Sequence, residues 1–277
     1  MPPISIYHLE LFITEQCNLD CSYCFAGSME GKIIDRGCAI EGIRFAADSC
    51  PEGSVLRISF WGGEPMTQME LIKDLVAYSN DYCAHKNITV RFSIPTNATL
   101  LTEENLIYIK NSGIQISLSI DGAESSQMLR KTAGGKSSFA CILDNIKRVR
   151  TVLHNRILPV RKTVQPATVK YLFEDIRFFI DHGFTDISFS PAIDTPWIES
   201  DLVKFHNEQK KIARFWLQCL GTPQQFYISA WDESVGIREL YRRGQLRRNG
   251  TFFCGAGGNQ LAVDIHGDLY PCHRFVF

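Results

Sequence analysis

Residues 12–25 read FITEQCNLDCSYCF and place three cysteines directly behind an apolar, strand-like stretch. Cys17, Cys21 and Cys24 form a Cys-x3-Cys-x2-Cys run. Three thiolates this close along the chain can bind three irons of a cubane 4Fe-4S cluster and leave its fourth iron without a protein ligand. A zinc site or three structural cysteines are the alternatives, although nothing near residue 24 supplies a fourth zinc ligand.

Outward from this stretch, apolar runs and amphipathic stretches alternate along the chain. Six runs rich in β-branched or aromatic residues predict strands at 7–14, 55–61, 88–94, 114–120, 157–164 and 185–191. Helical spacing predicts helices at 35–49, 68–84, 103–112, 137–153, 169–182 and 199–219. Six such alternations predict a parallel α/β fold that is two units short of a closed eight-unit barrel.

Polar residues follow each predicted strand. Because site residues of βα barrels collect at the carboxyl ends of the strands, these residues predict a cofactor site along one edge of the sheet. The residues concerned are Cys17, Gly62, Gly63, Glu64, Thr96, Asn97, Ser119, Asp121, Gln165, Ser190 and Asp194.

The cysteine run, with Tyr23 before its last member, resembles the signature of the radical S-adenosylmethionine (SAM) superfamily. WGGEP, at 61–65 on the next strand, resembles the GGEP motif of the same family. The resemblance implies a partial (β/α)6 TIM-like barrel whose three cysteines hold a 4Fe-4S cluster, with SAM at the open iron. It also implies reductive cleavage of SAM to a 5′-deoxyadenosyl radical, with the electron supplied by a flavodoxin- or ferredoxin-type donor.

The same resemblance assigns cofactor-binding roles beyond the cysteines. These fall on Tyr23, Gly62, Gly63, Glu64, Asn97, Ser119, Asp121 and Gln165. Two of these residues also fit purely structural roles, because Asn97 lies near a helix N-cap region around Thr102 and Asp121 precedes a glycine in a turn-forming pair. Asp194 matches a position where sulfatase-maturing members carry a carboxylate proposed to deprotonate the substrate radical, and it is the predicted catalytic residue. A loop aspartate that caps a turn is the alternative.

A second motif lies near the end of the chain, at 252–275. Apolar segments flank His266-Gly267 and predict a β-hairpin that brings Cys254 and Cys272 towards one site. The pattern resembles the opening of a SPASM or twitch domain, which implies auxiliary iron-sulfur clusters with these two cysteines as ligands. A zinc ribbon is the alternative. Such a domain continues with more cysteines, so the chain is expected to be truncated.

The predicted domains are therefore a radical SAM core at 5–220, a helical bridge at 221–250 and the start of a SPASM-like domain at 251–277. A net charge of -1 favours no nucleic acid partner, and no apolar run is long enough to span a membrane. Ten cysteines in a chain without a secretion signal indicate metal or redox chemistry in the cytoplasm.

The predicted function is a radical SAM enzyme that modifies a peptide or protein, by sulfatase formylglycine maturation or peptide crosslinking. A SPASM dehydrogenase or epimerase acting on a small molecule or a peptide Cα is one alternative. A non-catalytic iron-sulfur or zinc scaffold is another.

Overall fold

The computed structural model describes residues 5–24, 26, 30–154, 156–229, 231 and 256–276. The strands are β1 (His8–Thr14), β2 (Leu19–Cys21), β3 (Val55–Gly62), β4 (Thr89–Thr96), β5 (Gln115–Ser119), β6 (Arg130–Thr132), β7 (Pro159–Val164), β8 (Asp186–Pro191), β9 (Tyr227–Ile228), β10 (Gln260–Val263) and β11 (Leu269–Tyr270). The α-helices are α1 (Arg36–Ser49), α2 (Met69–Ala84), α3 (Glu103–Asn111), α4 (Glu124–Gln127), α5 (Phe139–Val152), α6 (Leu172–Asp181) and α7 (Glu199–Cys219).

Nine strands form the main sheet, in the order β11-β10-β1-β3-β4-β5-β7-β8-β9. Every neighbouring pair is parallel except β10 and β11. The predicted parallel α/β class is confirmed, and its six predicted strands follow one another across the sheet in chain order. Among the described residues the sheet is open, with β11 at one edge and β9 at the other.

The two faces of the sheet differ in polarity because side chains alternate along each strand. On β1, Leu9, Leu11 and Ile13 are buried in a core that also contains helix residues such as Ile43 and Ile72. The alternating residues His8 and Glu10, with polar neighbours such as Ser59 and Ser93 on the next strands, line the opposite, concave face. The helices therefore cover the apolar face.

The predicted C-terminal hairpin is confirmed, since Ala262 pairs with Tyr270 and Val263 with Leu269. Its first strand, β10, runs parallel to β1 with Gln260 opposite His8, so the hairpin extends the main sheet. The start of the predicted helical bridge differs from expectation, because 221–228 forms a turn followed by β9. The rest of that bridge, from 232, lies outside the described residues.

Among the described helices, none combines the length and apolar character that crossing a membrane requires.

Candidate active site at the carboxyl ends of the strands

The loops after β1, β3, β4, β5, β7 and β8 form a rim at the carboxyl ends of the strands, and the three cysteines lie in its first loop. Cys17 follows β1, Cys21 ends β2 and Cys24 lies in the turn after it, and all three thiols are free. The Cys17 Sγ accepts a hydrogen bond from the Leu19 amide at 3.4 Å. Antiparallel pairing of β2 with β6, which sets Cys21 opposite Arg130, anchors this cysteine loop to the rest of the rim.

Burial governs the acidity of these thiols. It raises the pKa of Cys17, and it raises the pKa of Cys21 to about 11 although the Arg130 guanidinium opposes the shift. The neighbouring thiols raise both values further by like-charge repulsion. Metal binding therefore has to displace protons here, as at other thiolate sites. No three His, Cys, Asp or Glu side chains in the described part of the chain are arranged to hold a single metal ion.

The two glycines of the WGGEP loop let it pack directly against the cysteine loop. The Gly63 amide donates to the Thr14 carbonyl at 2.9 Å, and the Glu64 amide donates to the Gln16 carbonyl at 2.8 Å. A Cβ on Gly62, whose φ is +140°, would lie 1.9 Å from the Thr14 oxygen, and one on Gly63 would lie 2.4 Å from the Gln16 oxygen. Only glycine permits this approach of the two backbones.

The Glu64 carboxylate is buried and hydrogen-bonded within the protein. It accepts from the Thr96 hydroxyl at 2.8 Å, the Asn97 amide at 2.6 Å and the Met66 amide at 3.1 Å. Burial raises the pKa of Glu64, and these hydrogen bonds oppose the rise. Glu64 thus ties the loop after β3 to the loop after β4. Its direct contact with SAM stays a prediction.

Asn97 faces the cysteine loop. Its Nδ2 donates to Asn18 Oδ1 at 2.8 Å and lies 3.9 Å from the Cys17 Sγ. The N-cap of α3 is Thr102, whose own hydroxyl accepts from the helix, so Asn97 does not act as that cap. The structure therefore places the Asn97 side chain beside Cys17, one of the predicted cluster ligands.

Asp121 belongs to a buried polar group that the sequence did not reveal in full. Its Oδ2 accepts a hydrogen bond from the Tyr23 hydroxyl, and its Oδ1 accepts from the Thr163 amide at 3.3 Å. Arg130, absent from the predicted site, donates to the Tyr23 hydroxyl at 2.9 Å and lies 4.0 Å from Asp121. Burial raises the pKa of Tyr23 well above its usual value. The phenol is therefore a neutral donor between the cysteine loop and β5.

The remaining predicted residues differ in their surroundings. Ser119 ends β5 and is partly exposed, and Asp194 lies in an exposed bend after β8. Gln165 is buried, and its Oε1 accepts from the Thr195 hydroxyl at 3.0 Å. Its Nε2 is buried without a hydrogen-bond partner in the described structure, which leaves a donor for a bound molecule.

The second predicted cysteine pair can be followed only in part. Cys272 is buried directly after the C-terminal hairpin, where it lines the concave face of the sheet. Cys254 lies outside the described residues. The structure thus places one of the two cysteines beside the main sheet.

A cavity of about 370 Å³ lies on the concave face, and sequence reasoning missed it. His8 Nε2 lies 2.9 Å from the Ser59 hydroxyl, which lies 2.6 Å from the Ser93 hydroxyl. The two-residue alternation of polar and apolar side chains along the strands is the signal that would have found it. The lining residues are His8, Glu10, Arg57, Ser59, Trp61, Ser93, Pro95, Ser117, Arg161, Gln260, Cys272, His273 and Arg274.

A parallel α/β sheet whose first strand leads into three free thiols, packed on a Gly-Gly-Glu loop after the next parallel strand, defines the class of radical SAM enzymes. Residues 11–190 match the family model of the Radical SAM superfamily, and the chain belongs to that superfamily. Membership implies that it is an enzyme using a 4Fe-4S cluster and SAM.

Several relatives align along nearly the whole chain. An uncharacterized protein of Methanocaldococcus jannaschii is 34% identical over 268 residues, which are 96% of this chain and 84% of that protein. A cysteine-type anaerobic sulfatase-maturating enzyme of Clostridium perfringens is 24% identical over 298 residues, covering 100% of this chain and 76% of that enzyme.

Solved structures show the same fold. The structure of native anSMEcpe with bound AdoMet and the Cp18Cys peptide superposes with a TM-score of 0.79 at 22% identity, covering 98% of this chain and 74% of that one. Streptococcus suis SuiB bound to the precursor peptide SuiA superposes with a TM-score of 0.66 at 19% identity, covering 98% and 60% of the two chains. Both likenesses extend beyond the residues of the family model.

Proposed function

We propose that this radical SAM enzyme modifies a peptide or protein substrate. The observation that carries the proposal is the set of three free thiols held at the rim of a sheet whose concave face is polar and open. Relatives named for sulfatase maturation, and solved structures that contain a bound peptide, support a polypeptide substrate. Among such reactions, oxidation of a substrate cysteine or serine to formylglycine has the most support, because the maturating enzyme aligns with the whole chain.

The donor set at the rim fits the two cofactors of the superfamily. Cys17, Cys21 and Cys24 are free thiols that would hold three irons of the cluster. The unpaired Gln165 Nε2 would donate to a polar atom of SAM. When bound, the cluster and SAM supply a 5′-deoxyadenosyl radical that abstracts a hydrogen atom from the substrate.

The chain's own residues hold this arrangement in place. Glu64 and Asn97 fix the backbone around the cysteine loop, while Tyr23, Asp121 and Arg130 brace its far side. A site preorganised in this way does not have to reorganise during the reaction.

The second catalytic element of the proposal is Asp194. Its carboxylate is exposed at the rim, one residue from Thr195, whose hydroxyl bonds the buried Gln165. Asp194 would accept the proton that a substrate loses as it is oxidised. A carboxylate that faces the bound substrate can act as a general base in this way.

After the substrate has lost one hydrogen atom to the radical and one proton to Asp194, one electron remains, and it needs an acceptor. We propose an auxiliary iron-sulfur cluster with Cys254 and Cys272 among its ligands, in a C-terminal unit from 251 that follows the core at 5–220 and a bridge at 221–250. Burial of Cys272 beside the concave face supports this proposal. A flavodoxin- or ferredoxin-type protein would supply electrons to the first cluster.

The experiment is anaerobic reconstitution with iron and sulfide, followed by electron paramagnetic resonance with and without SAM. We expect a 4Fe-4S signal that changes when SAM is added, and loss of this SAM-dependent change when Cys17, Cys21 or Cys24 is replaced by alanine. Cys141→Ala, which removes an exposed thiol of α5, is the matched control and should behave like wild type. A wild-type protein that takes up only zinc would overturn the proposal.

A further inference from the structure

The cavity on the concave face has a positively charged lining. Arg57 lies on β3, Arg161 on β7 and Arg274 after the C-terminal hairpin, so the three guanidinium groups come from separate segments. The lining contains one acidic residue, Glu10. The whole chain has a net charge of -1, so this positive cavity is a local feature and not a consequence of overall composition.

The one acidic residue of the cavity is already occupied. Both Glu10 oxygens accept hydrogen bonds from His273, one from the backbone amide and one from Nδ1, each at 2.7 Å. The His273 ring also stacks on Trp61, with ring centroids 4.2 Å apart. Glu10 is therefore committed to holding the C-terminal segment against β1.

The arginines of the cavity are available by contrast. Within the described residues, the guanidinium groups of Arg57, Arg161 and Arg274 form neither an ion pair nor a hydrogen bond. All three side chains are exposed, as is that of Arg36, which does pair with Asp74. Guanidinium groups pair preferentially with planar anions such as carboxylates.

We propose that this cavity binds a carboxylate of the substrate peptide, through Arg57 and Arg161, and so selects an acidic segment near the modified residue. The inference rests on the proposed function for the identity of the substrate as a polypeptide. The carboxylate is that of an acidic side chain or that of the peptide's own C-terminus. The serine hydroxyls and His8 along the cavity floor add neutral hydrogen-bonding groups for the backbone of such a segment.

The test uses the anaerobically reconstituted enzyme with SAM and three probe peptides in calorimetric titrations. The first is the capped peptide acetyl-GAEAG-amide, the second has glutamine in place of glutamate, and the third is the glutamine peptide with a free C-terminal carboxylate. We expect the glutamate peptide or the free-terminus peptide to bind at least about tenfold more tightly than the neutral one, since a charge-assisted contact is gained. The stronger of the two anionic probes identifies the source of the carboxylate.

Variants test whether the arginines are responsible. Arg57→Gln and Arg161→Gln should each weaken binding of the preferred probe by about tenfold or more. Binding of the neutral probe should stay unchanged. Arg177→Gln makes the same charge change on an exposed position of α6 and should bind like wild type. Arg57→Lys keeps the charge and should retain part of the preference, which separates loss of charge from loss of folding.

Three results would overturn the inference: equal binding of neutral and anionic probes, wild-type affinity in both glutamine variants, or tighter binding of inorganic phosphate than of either anionic peptide. Failure here is distinct from failure of the proposed function, because probe binding needs no turnover. An enzyme that cleaves SAM but shows no anionic preference rejects only the carboxylate site. An enzyme that binds the acidic probe but gives no SAM-dependent resonance change rejects only the proposed function.

Discussion

The rim and the cavity are built from the same strands but satisfy their polar groups in opposite ways. At the rim, Glu64 and Asp121 are buried and hydrogen-bonded to other parts of the protein. In the cavity, Arg57 and Arg161 make no ion pair within the described structure. A region whose polar groups are internally satisfied is rigid and suits one fixed cofactor, whereas unpaired charges suit an exchangeable ligand.

This comparison separates two kinds of defect. Changes that disturb the rim should impair every reaction of the enzyme, because they displace the cysteine loop. Changes in the cavity should alter which peptide is accepted and leave SAM cleavage intact. Asp194 is the exception at the rim, because it is exposed there and its replacement leaves the buried contacts of Glu64 and Asp121 in place.

We expect Asp194→Ala to lower the yield of modified peptide by about a hundred- to ten-thousandfold, the usual value of general-base assistance. Formation of 5′-deoxyadenosine and the SAM-dependent resonance change should persist. The yield is measured by mass spectrometry on a peptide that the wild type modifies. Asp144→Ala, which removes an exposed aspartate of α5, is the control. A normal yield from Asp194→Ala would leave that residue with a turn-capping role only.

The next largest effect concerns contact between the WGGEP and cysteine loops. Gly62→Ala places a methyl group against the Thr14 carbonyl and forces alanine into a positive φ, which should cost about 3 kcal/mol or more. The control is Gly134→Ala, where the nearest atom is 3.9 Å from the new Cβ. We expect Gly62→Ala to melt at a lower temperature and to take up less iron on reconstitution. Wild-type iron content in that variant would show that the two loops move independently.

Much of this framework could be predicted from the sequence because it depends on local patterns. The predicted strand at 55–61 appears as Val55–Gly62, and the predicted helix at 199–219 appears with the same bounds. The spacing of the three cysteines predicts that they share one site, because one short loop contains all three. Their roles, and those of the other site residues, stay predictions.

What the sequence did not reveal depends on pairing between distant segments. Arg130 reaches Tyr23 only because two three-residue strands, β2 and β6, pair across the rim. The parallel pairing of β10 with β1 likewise joins the two ends of the described chain and delivers His273 to Glu10. β2 and β6 are too short to carry a periodic signal from which their pairing could be predicted.

A smaller effect is expected at Glu64. Glu64→Gln replaces a carboxylate that faces the Asn97 and Met66 amides with a group that can also donate, so at least one buried hydrogen bond is lost. The expected cost is about 1–3 kcal/mol of folding stability, measured by denaturant unfolding. If SAM affinity falls in calorimetry while unfolding is unchanged, Glu64 contacts the cofactor directly. If only the folding stability falls, the role of the carboxylate is to hold the loops after β3 and β4 together.

The smallest effect is a pH dependence that originates in the cavity. Burial lowers the pKa of His8 below its usual 6.5, and Arg57 adds to this while Glu10 opposes it. The folded protein therefore holds this proton less tightly than the unfolded chain does. The corresponding stability is fully present above pH 6.5 and is lost as the pH falls through the folded pKa.

We therefore expect the melting temperature to fall on acidification from pH 7.5 to 5.5, and to fall less steeply in His8→Asn, which cannot take up the proton. His85→Asn, at an exposed position just after α2, is the matched control and should keep the wild-type slope. Acid release of iron lowers stability in both variants alike, so the difference between their slopes isolates the cavity. If the melting temperatures of His8→Asn and His85→Asn fall equally steeply with pH, His8 is not perturbed by burial. The cavity would then be more hydrated than its lining indicates.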